Sequence, residues 1–223
     1  SDYDGTFNDG DIDNLVINKY AVRLFMEKGN IFILNTGRPY ESIIQEIERH
    51  DIDYSYLSCS DGLLLLDRQD NVVYRSILPE SLYLELEYLN KEFSYFFRSN
   101  LTKFEYNNRI LELMITLEKL NCRYMAKFTD ILDRYYLDYE RLDRQGIIYL
   151  FIREKNYSKA TPIRRLAAIY KVKDEDIYSV GDTWNDIPML KEYNGYSMEQ
   201  GTDDLKEFPK ISSVHELIKR MGK

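Results

Sequence analysis

The apolar residues of this chain fall into short runs and spaced positions that alternate along its length. From Asn14 to Lys28, Ile17, Tyr20, Ala21, Leu24 and Phe25 recur at helical spacing, and Gly29 stands where a C-terminal cap belongs. IFILN follows, a continuous apolar run suited to a buried parallel strand, and it ends in Thr-Gly-Arg-Pro. Pro39 then opens a second predicted helix, PYESIIQEIERH, because the first helical turn tolerates proline. This order of helix, strand and helix calls for a strand ahead of it. LLLLDRQDNVVYRS reads as a hairpin, two apolar runs joined by a polar turn.

The texture changes after Pro79. Residues 80–93 form a predicted acidic amphipathic helix, SYFF a strand, and ILELMITL fits either a strand or a helix. KFTDILDRYYLDYERL reads as helical, with DYERLDRQ as a solvated face, and IIYLFI as another buried strand. The alternation returns with KATPIRRLAAIYKV as a helix, IYSVGD as a strand, and DIPMLKEY and SVHELIKRM as helices. Strands and helices alternating at both ends imply an α/β fold built on one parallel sheet, with the middle third inserted as a smaller α/β lobe. The predicted division is a core of residues 1–78 and 152–223 and an insertion of residues 79–151. Neither repeats nor a low-complexity linker interrupt it.

Composition narrows the function without naming it. The chain has 223 residues, 44% apolar and 30% charged, which suits a soluble globular protein with a sizeable core. A net charge of −8 argues against nucleic acid, which needs a clustered basic face, but leaves small phosphorylated ligands open. The 20 tyrosines are expected mostly in packing roles. Cys59 and Cys122 are too few for a disulfide framework and are expected as buried thiols in a reducing compartment. With no signal-peptide pattern and no apolar run near the roughly 20 residues that span a bilayer, the expectation is a cytoplasmic protein away from membranes.

Four short stretches carry chemistry: DYDGT at 2–6, NTGR at 35–38, SKAT at 158–161 and GDTWND at 181–186. Three follow predicted strands and one opens a helix. Ligands of an open parallel sheet bind at the carboxyl ends of its strands, so the four can converge. Asp2, Asp4, Asp182 and Asp186 are hard oxygen donors suited to Mg²⁺ rather than zinc. Clustered carboxylates repel one another unless a cation sits among them. Thr36 brings a hydroxyl donor, the backbone after it brings N–H groups, and Lys159 brings a fixed positive charge for a phosphate. Arg38 suits either a substrate contact or a salt bridge, and Trp184 either a pocket wall or packing. His50 and His215 stand alone and are expected to be surface or satisfied residues.

In order, spacing and strand context these stretches resemble the haloacid dehalogenase (HAD) superfamily, whose pattern is D-x-D-G-T, then Ser or Thr after a second strand, then Lys, then G-D-x-x-N-D. The insertion between the Thr and Lys stretches resembles the branch with a type II α/β cap, the Cof-like and sucrose-phosphate-phosphatase-like enzymes. The resemblance implies a Rossmann-like parallel-sheet core and a Mg²⁺-dependent phosphatase acting on a small phosphomonoester, a sugar phosphate by family weight. Asp2 would then be the nucleophile forming an aspartyl-phosphate, and Asp4 the general acid and then base. Thr36, Gly37, Arg38, Lys159 and Asn185 would hold phosphate. Asp2, Asp4 through its carbonyl, Asp182 and Asp186 (through a bound water) would serve the metal. The protein would be a monomer or homodimer. A phosphomutase using the same residues, or a silent binding protein of this fold, are the rival expectations. The chain departs from the branch at Asp61-Gly62, where Asn-Gly is common, at Ala160 after the lysine, and at MEQG after the last stretch. A nucleophile needs a rigid strand behind it, so apolar residues upstream of Ser1 are expected in the natural protein.

Overall fold

The computed structural model of the protein describes residues 1–222. They divide into two compact units, Ser1–Tyr74 with the segment from Ser158 onward, and Arg75–Tyr157.

The first unit follows the predicted alternation closely. Helix α1 (Ile12–Glu27) starts where the Asp11 side chain accepts from the backbone N–H groups of Asp13 and Asn14, a short-side-chain cap at an end that otherwise leaves donors orphaned. Strand β1 (Ile33–Asn35) leads to α2 (Tyr40–His50), then β2 (Tyr56–Cys59), and the hairpin β3 (Leu64–Asp67) and β4 (Val72–Arg75). The hairpin turn is fixed by Asp67, whose carboxylate accepts from the N–H groups of Gln69 and Asn71 and from the Asn71 side chain. These strands form one sheet in the order β1-β2-β3-β4, with β1 and β2 parallel.

A second sheet of this unit, β11-β10-β9, is parallel throughout. Its strands are β9 (Tyr178–Gly181), β10 (Asn194–Met198) and β11 (Lys210–Ile211). The helices of this stretch are α5 (Ala160–Tyr170), α6 (Ile187–Glu192) and α7 (Val214–Arg220). Ala160, Ile163, Met189, Leu190 and Leu205 pack into one buried cluster of this half. Ile33, Leu166, Val180 and Leu217 line an apolar cavity beside Ser1.

The second unit is an antiparallel sheet in the order β5-β6-β8-β7. Its strands are β5 (Ser99–Tyr106), β6 (Arg109–Leu117), β7 (Leu137–Arg144) and β8 (Ile147–Glu154), with helices α3 (Glu80–Phe93) and α4 (Cys122–Arg134). Leu82, Leu86 and Phe93 of α3 and Phe128 and Leu132 of α4 share a core with Leu113, Ile115, Leu150 and Ile152 of the sheet. Both tight hairpins use consecutive left-handed residues, Asn107-Asn108 and Gln145-Gly146, the conformation that matches strand twist.

Three expectations for the middle third are corrected. SYFF is a turn closing α3, because Phe93 and Phe97, four apart, both pack edge-on against Tyr124 at 5.4 Å between ring centroids. The long helix predicted from Lys127 ends at Arg134, and Tyr136 turns the chain with φ +56°. Beyond it Leu137 to Arg144 pair with β8 in an eight-residue ladder, so cross-strand pairing overrules helical spacing. ILELMITL is strand. Of the two cysteines, Cys59 is buried as expected, but Cys122 is exposed because it opens α4 on its outer side.

Candidate active site

The site is assembled at strand ends in the first unit. Ser1 and Asp2 run extended between β1 and β9. The Ser1 nitrogen donates to Ile33 O (2.9 Å), and Asn35 N donates to Ser1 O (2.8 Å). On the other side Asp2 N donates to Val180 O (3.0 Å). These bonds link the two sheets and bring Asp2, Thr36 and Asp182 to neighbouring strand ends, as the topology of a parallel sheet requires.

Lys159 sits at the centre of the charged groups and is only 1% exposed. Its Nζ donates to Asp2 Oδ1 and to Asp186 Oδ1, each at 2.7 Å. The other Asp186 oxygen accepts from the backbone N–H of Asp182 (3.0 Å) and Thr183 (3.1 Å), which fixes the turn after β9. Asp182 is held by the Thr6 hydroxyl at 3.2 Å. Gly5 is required here: its φ is +75°, and any side chain on it would run into the Asp182 carboxylate. The backbone of Lys159 is anchored by Asn35, whose Nδ2 donates to Lys159 O (2.7 Å) while its Oδ1 accepts from Ser58 Oγ (2.8 Å).

Burial raises the Asp2 carboxyl to about 7, with Lys159 pulling it back and Asp186 pushing it further up. Asp182 is also raised, first by burial and then by Asp186. For Lys159 burial opposes the charge, but Asp2 and Asp186, with Asp61 beyond them, outweigh it and hold the ammonium above the ordinary lysine range. One lysine thus acts on four carboxylates, Asp2, Asp61, Asp182 and Asp186. That imbalance is the electrostatic setting of a cation site.

The remaining predicted residues form the rim. Thr36 is buried; its N–H donates to Ser58 O, and its hydroxyl oxygen accepts from Arg38 N at 3.1 Å. Arg38 does not point at the acid cluster. It forms a two-pronged pair with Asp4, Nε to Oδ2 at 2.7 Å and Nη2 to Oδ1 at 2.5 Å. The Asp4 carboxylate therefore lies outside the group formed by Asp2, Asp182 and Asp186. Asn185 accepts from the Thr183 hydroxyl (2.6 Å) and donates to Asp61 Oδ1 (3.0 Å). Trp184 is 45% exposed and no part of the core. His50 lies 3.6 Å from Glu46, and the His215 backbone donates to Asn18. Neither histidine meets the site residues in these interactions.

Sequence reasoning overlooked Thr6, Asn35 and Gln200, whose side chain donates to Gly5 O at 3.1 Å. Thr6 was within the quoted DYDGT stretch, and Asn35 was the one polar residue of an otherwise apolar strand. Gln200 stood in the MEQG stretch, noted only as a departure from the family pattern.

The sequence pattern of haloacid dehalogenase-like hydrolases matches this chain over residues 1–107 and 85–215. The chain belongs to the haloacid dehalogenase-like hydrolases. No curated protein sequence matches it. Among solved structures it is similar to a protein of Plasmodium vivax assigned as a HAD/COF-like hydrolase, with a TM-score of 0.67 and 18% identity, over 99% of this chain and 93% of that one. A haloacid dehalogenase-like hydrolase of Bacteroides thetaiotaomicron gives a TM-score of 0.68 at 14% identity, covering 92% of each chain. BT1666 of the same organism, described among the phosphatases of the superfamily, gives 0.69 at 18% identity, over 92% of this chain and 87% of that one. At these identities the likeness carries the fold, a mixed α/β core with a cap.

For this HAD-like hydrolase the donor set fits the Mg²⁺ that such enzymes generally use. Asp2, Asp182 and Asp186 each offer a carboxylate oxygen, and these oxygens lie within 4.8 Å of one another. They are oxygen donors only, as a hard divalent cation prefers. Among the described residues, no helix is long and apolar enough to cross a membrane.

Proposed function

We propose that this protein is a phosphomonoester hydrolase that works through an aspartyl-phosphate on Asp2, with Mg²⁺ held by Asp2, the Asp4 carbonyl, Asp182 and Asp186. The observation that carries the reading is the buried Lys159 ammonium at 2.7 Å from both Asp2 and Asp186. A carboxylate in this setting is rigid and partly neutralised, so an anion brought to it meets less repulsion. The metal, when bound, offsets the negative charge of the phosphate and of the acid cluster.

Asp2 attacks phosphorus as the bond to the alcohol oxygen breaks, and the departing oxygen takes a proton from Asp4. Water then attacks the acyl phosphate, giving its proton to Asp4 and releasing phosphate and the Asp2 carboxylate. Asp4 must leave Arg38 to act as the acid. That pair is partly exposed, so solvent screens it and its opening costs less than that of a buried pair. Thr36, Gly37, Arg38, Asn185 and Lys159 hold the phosphoryl oxygens, and the Lys159 charge stabilises the transition state.

The substrate is a small phosphorylated metabolite, a sugar phosphate foremost, met in the cytoplasm rather than on nucleic acid or a membrane by a monomer or homodimer. The test is phosphate release from a panel of phosphate esters by the full natural chain, with and without Mg²⁺, beside Asp2→Asn. Release that needs Mg²⁺ and falls by at least about a thousandfold in the variant is expected. Isomerised ester without net release would make the protein a mutase, and ligand binding without turnover a binding protein.

A further inference from the structure

Asp61 is a carboxylate placed against the phosphate cradle at some conformational expense. It follows β2 in the segment Ser60-Asp61-Gly62, where Ser60 (φ +50°) and Asp61 (φ +53°) are both left-handed although neither is glycine. Two consecutive such residues are costly unless the surroundings hold them. Here the Thr36–Arg38 loop does so: Ser60 N donates to Arg38 O (2.9 Å) and Asp61 N donates to Thr36 O (3.0 Å).

This backbone aims the Asp61 side chain at the site. Its Oδ1 accepts from Asn185 Nδ2 at 3.0 Å, and it lies 3.1 Å from where a Cβ on Gly37 would stand. A side chain at 37 would press on this carboxylate. Asp61 is also among the charges that act on Lys159. The residues it borders, Gly37 and Asn185, and the Lys159 charge it acts on are among those assigned above to phosphate.

We infer that Asp61 is a positioning and specificity residue: it fixes the Asn185 amide and, as a fixed negative charge at the cradle rim, keeps the hold on phosphate weak enough for product release. The inference rests on the phosphatase reading for its use in turnover. A site with a buried ammonium, a divalent cation and several N–H donors would otherwise bind inorganic phosphate tightly, and binding the product well lowers the rate of a hydrolase whose last step is release. Asp61 opposes that attraction at short range, while its hydrogen bond keeps Asn185 oriented. A neutral residue of the same shape keeps the second effect and loses the first.

The experiment is calorimetric titration of inorganic phosphate into the Mg²⁺-loaded full chain, wild type against Asp61→Asn and Asp61→Ala, followed by product inhibition with the best ester. Asparagine tolerates the left-handed region as well as aspartate does, so Asp61→Asn is expected to fold, which circular dichroism checks. Removing one charge a few ångströms from a bound dianion should tighten phosphate binding by about tenfold. Product inhibition should strengthen by the same factor, with a fall in kcat and a smaller KM. Asp61→Ala should tighten phosphate less, because Asn185 loses its support. Phosphate affinity that is unchanged or weaker in Asp61→Asn overturns the inference, as does failure of every form to bind phosphate. Phosphate binding with no ester hydrolysed would instead sink the phosphatase reading and leave the calorimetry to decide Asp61.

Discussion

At the scale of single residues, the site is governed by how few cations oppose its buried acids. Lys159 serves both Asp2 and Asp186 within the core, where such pairs weigh more than pairs at the surface. Replacing Lys159 by methionine keeps much of its volume and strands two buried carboxylates. Loss of one partner of a buried pair costs about 3–5 kcal/mol. Thermal unfolding of Lys159→Met should therefore show a Tm drop well beyond that of a surface substitution, with Mg²⁺ restoring part of it. A drop no larger than that of Lys173→Met, a lysine at the surface, would mean the cluster is relieved in another way. Asp2, Thr36, Lys159 and Asp182 were recognisable from residue type and order. The Arg38–Asp4 pair was not, because nothing local says which acid an arginine will choose.

At the scale of elements, α1 and α7 show how much a helix owes to its ends and its neighbours. Helix α1 was expected from Ile17, Tyr20, Ala21, Leu24 and Phe25; of these Ala21 is buried but Tyr20 is 65% exposed, and Leu15, Asn18 and Val22 make up the rest of the buried face. The spacing predicted a helix but not its buried face, since this helix is apolar on both sides and Asn18 is satisfied inside by Phe7 O at 3.0 Å. Helix α7 is short and leans on its N-terminus. Ser213 Oγ accepts from Glu216 N, while Glu216 accepts from Ser212 N (2.7 Å) and the Ser212 hydroxyl (2.8 Å). These bonds to the Ser212 backbone and side chain, with Arg220 adding to them, lower Glu216 from 4.5 to about 2. The folded form thus binds this proton less readily than the unfolded chain. Its stabilisation is complete above the ordinary pKa and disappears as pH falls through about 2. Glu216→Gln should lower Tm at pH 7, and the gap to wild type should narrow toward pH 2. A gap that stays constant over that range would show that charge plays no part in the cap.

At the scale of the whole molecule, the acid cluster would link folding to the proposed metal binding. Burial raises Asp2 from 3.8 to about 7, so between those values the folded protein holds a proton that the unfolded chain has given up. Metal-free protein therefore loses stability as pH rises across that window. Binding Mg²⁺ requires the carboxylates unprotonated, so it is opposed at pH 5 and unopposed at pH 8. Saturating Mg²⁺ should raise Tm more at pH 8 than at pH 5, whereas an equal rise at both would place the cation away from Asp2.

Much of this was written in the chain. Apolar runs of strand length and helical spacings specified the alternation of the first unit, because those patterns follow from backbone geometry. The four polar stretches stood out because buried or strand-end carboxylates, a lysine and a threonine have few roles except chemistry. Tertiary structure alone decided the rest. Leu137 to Arg144 became a strand because β8, folded back on it through the Gln145-Gly146 turn, offered a ladder that helical spacing within one segment does not register. Ser60 and Asp61 adopted a left-handed backbone because the Thr36–Arg38 loop supplied its acceptors. Asp61 came against Gly37 and Asn185 for the same reason, and a sequence, which orders residues along one line, cannot state which side chains meet across the ends of a sheet.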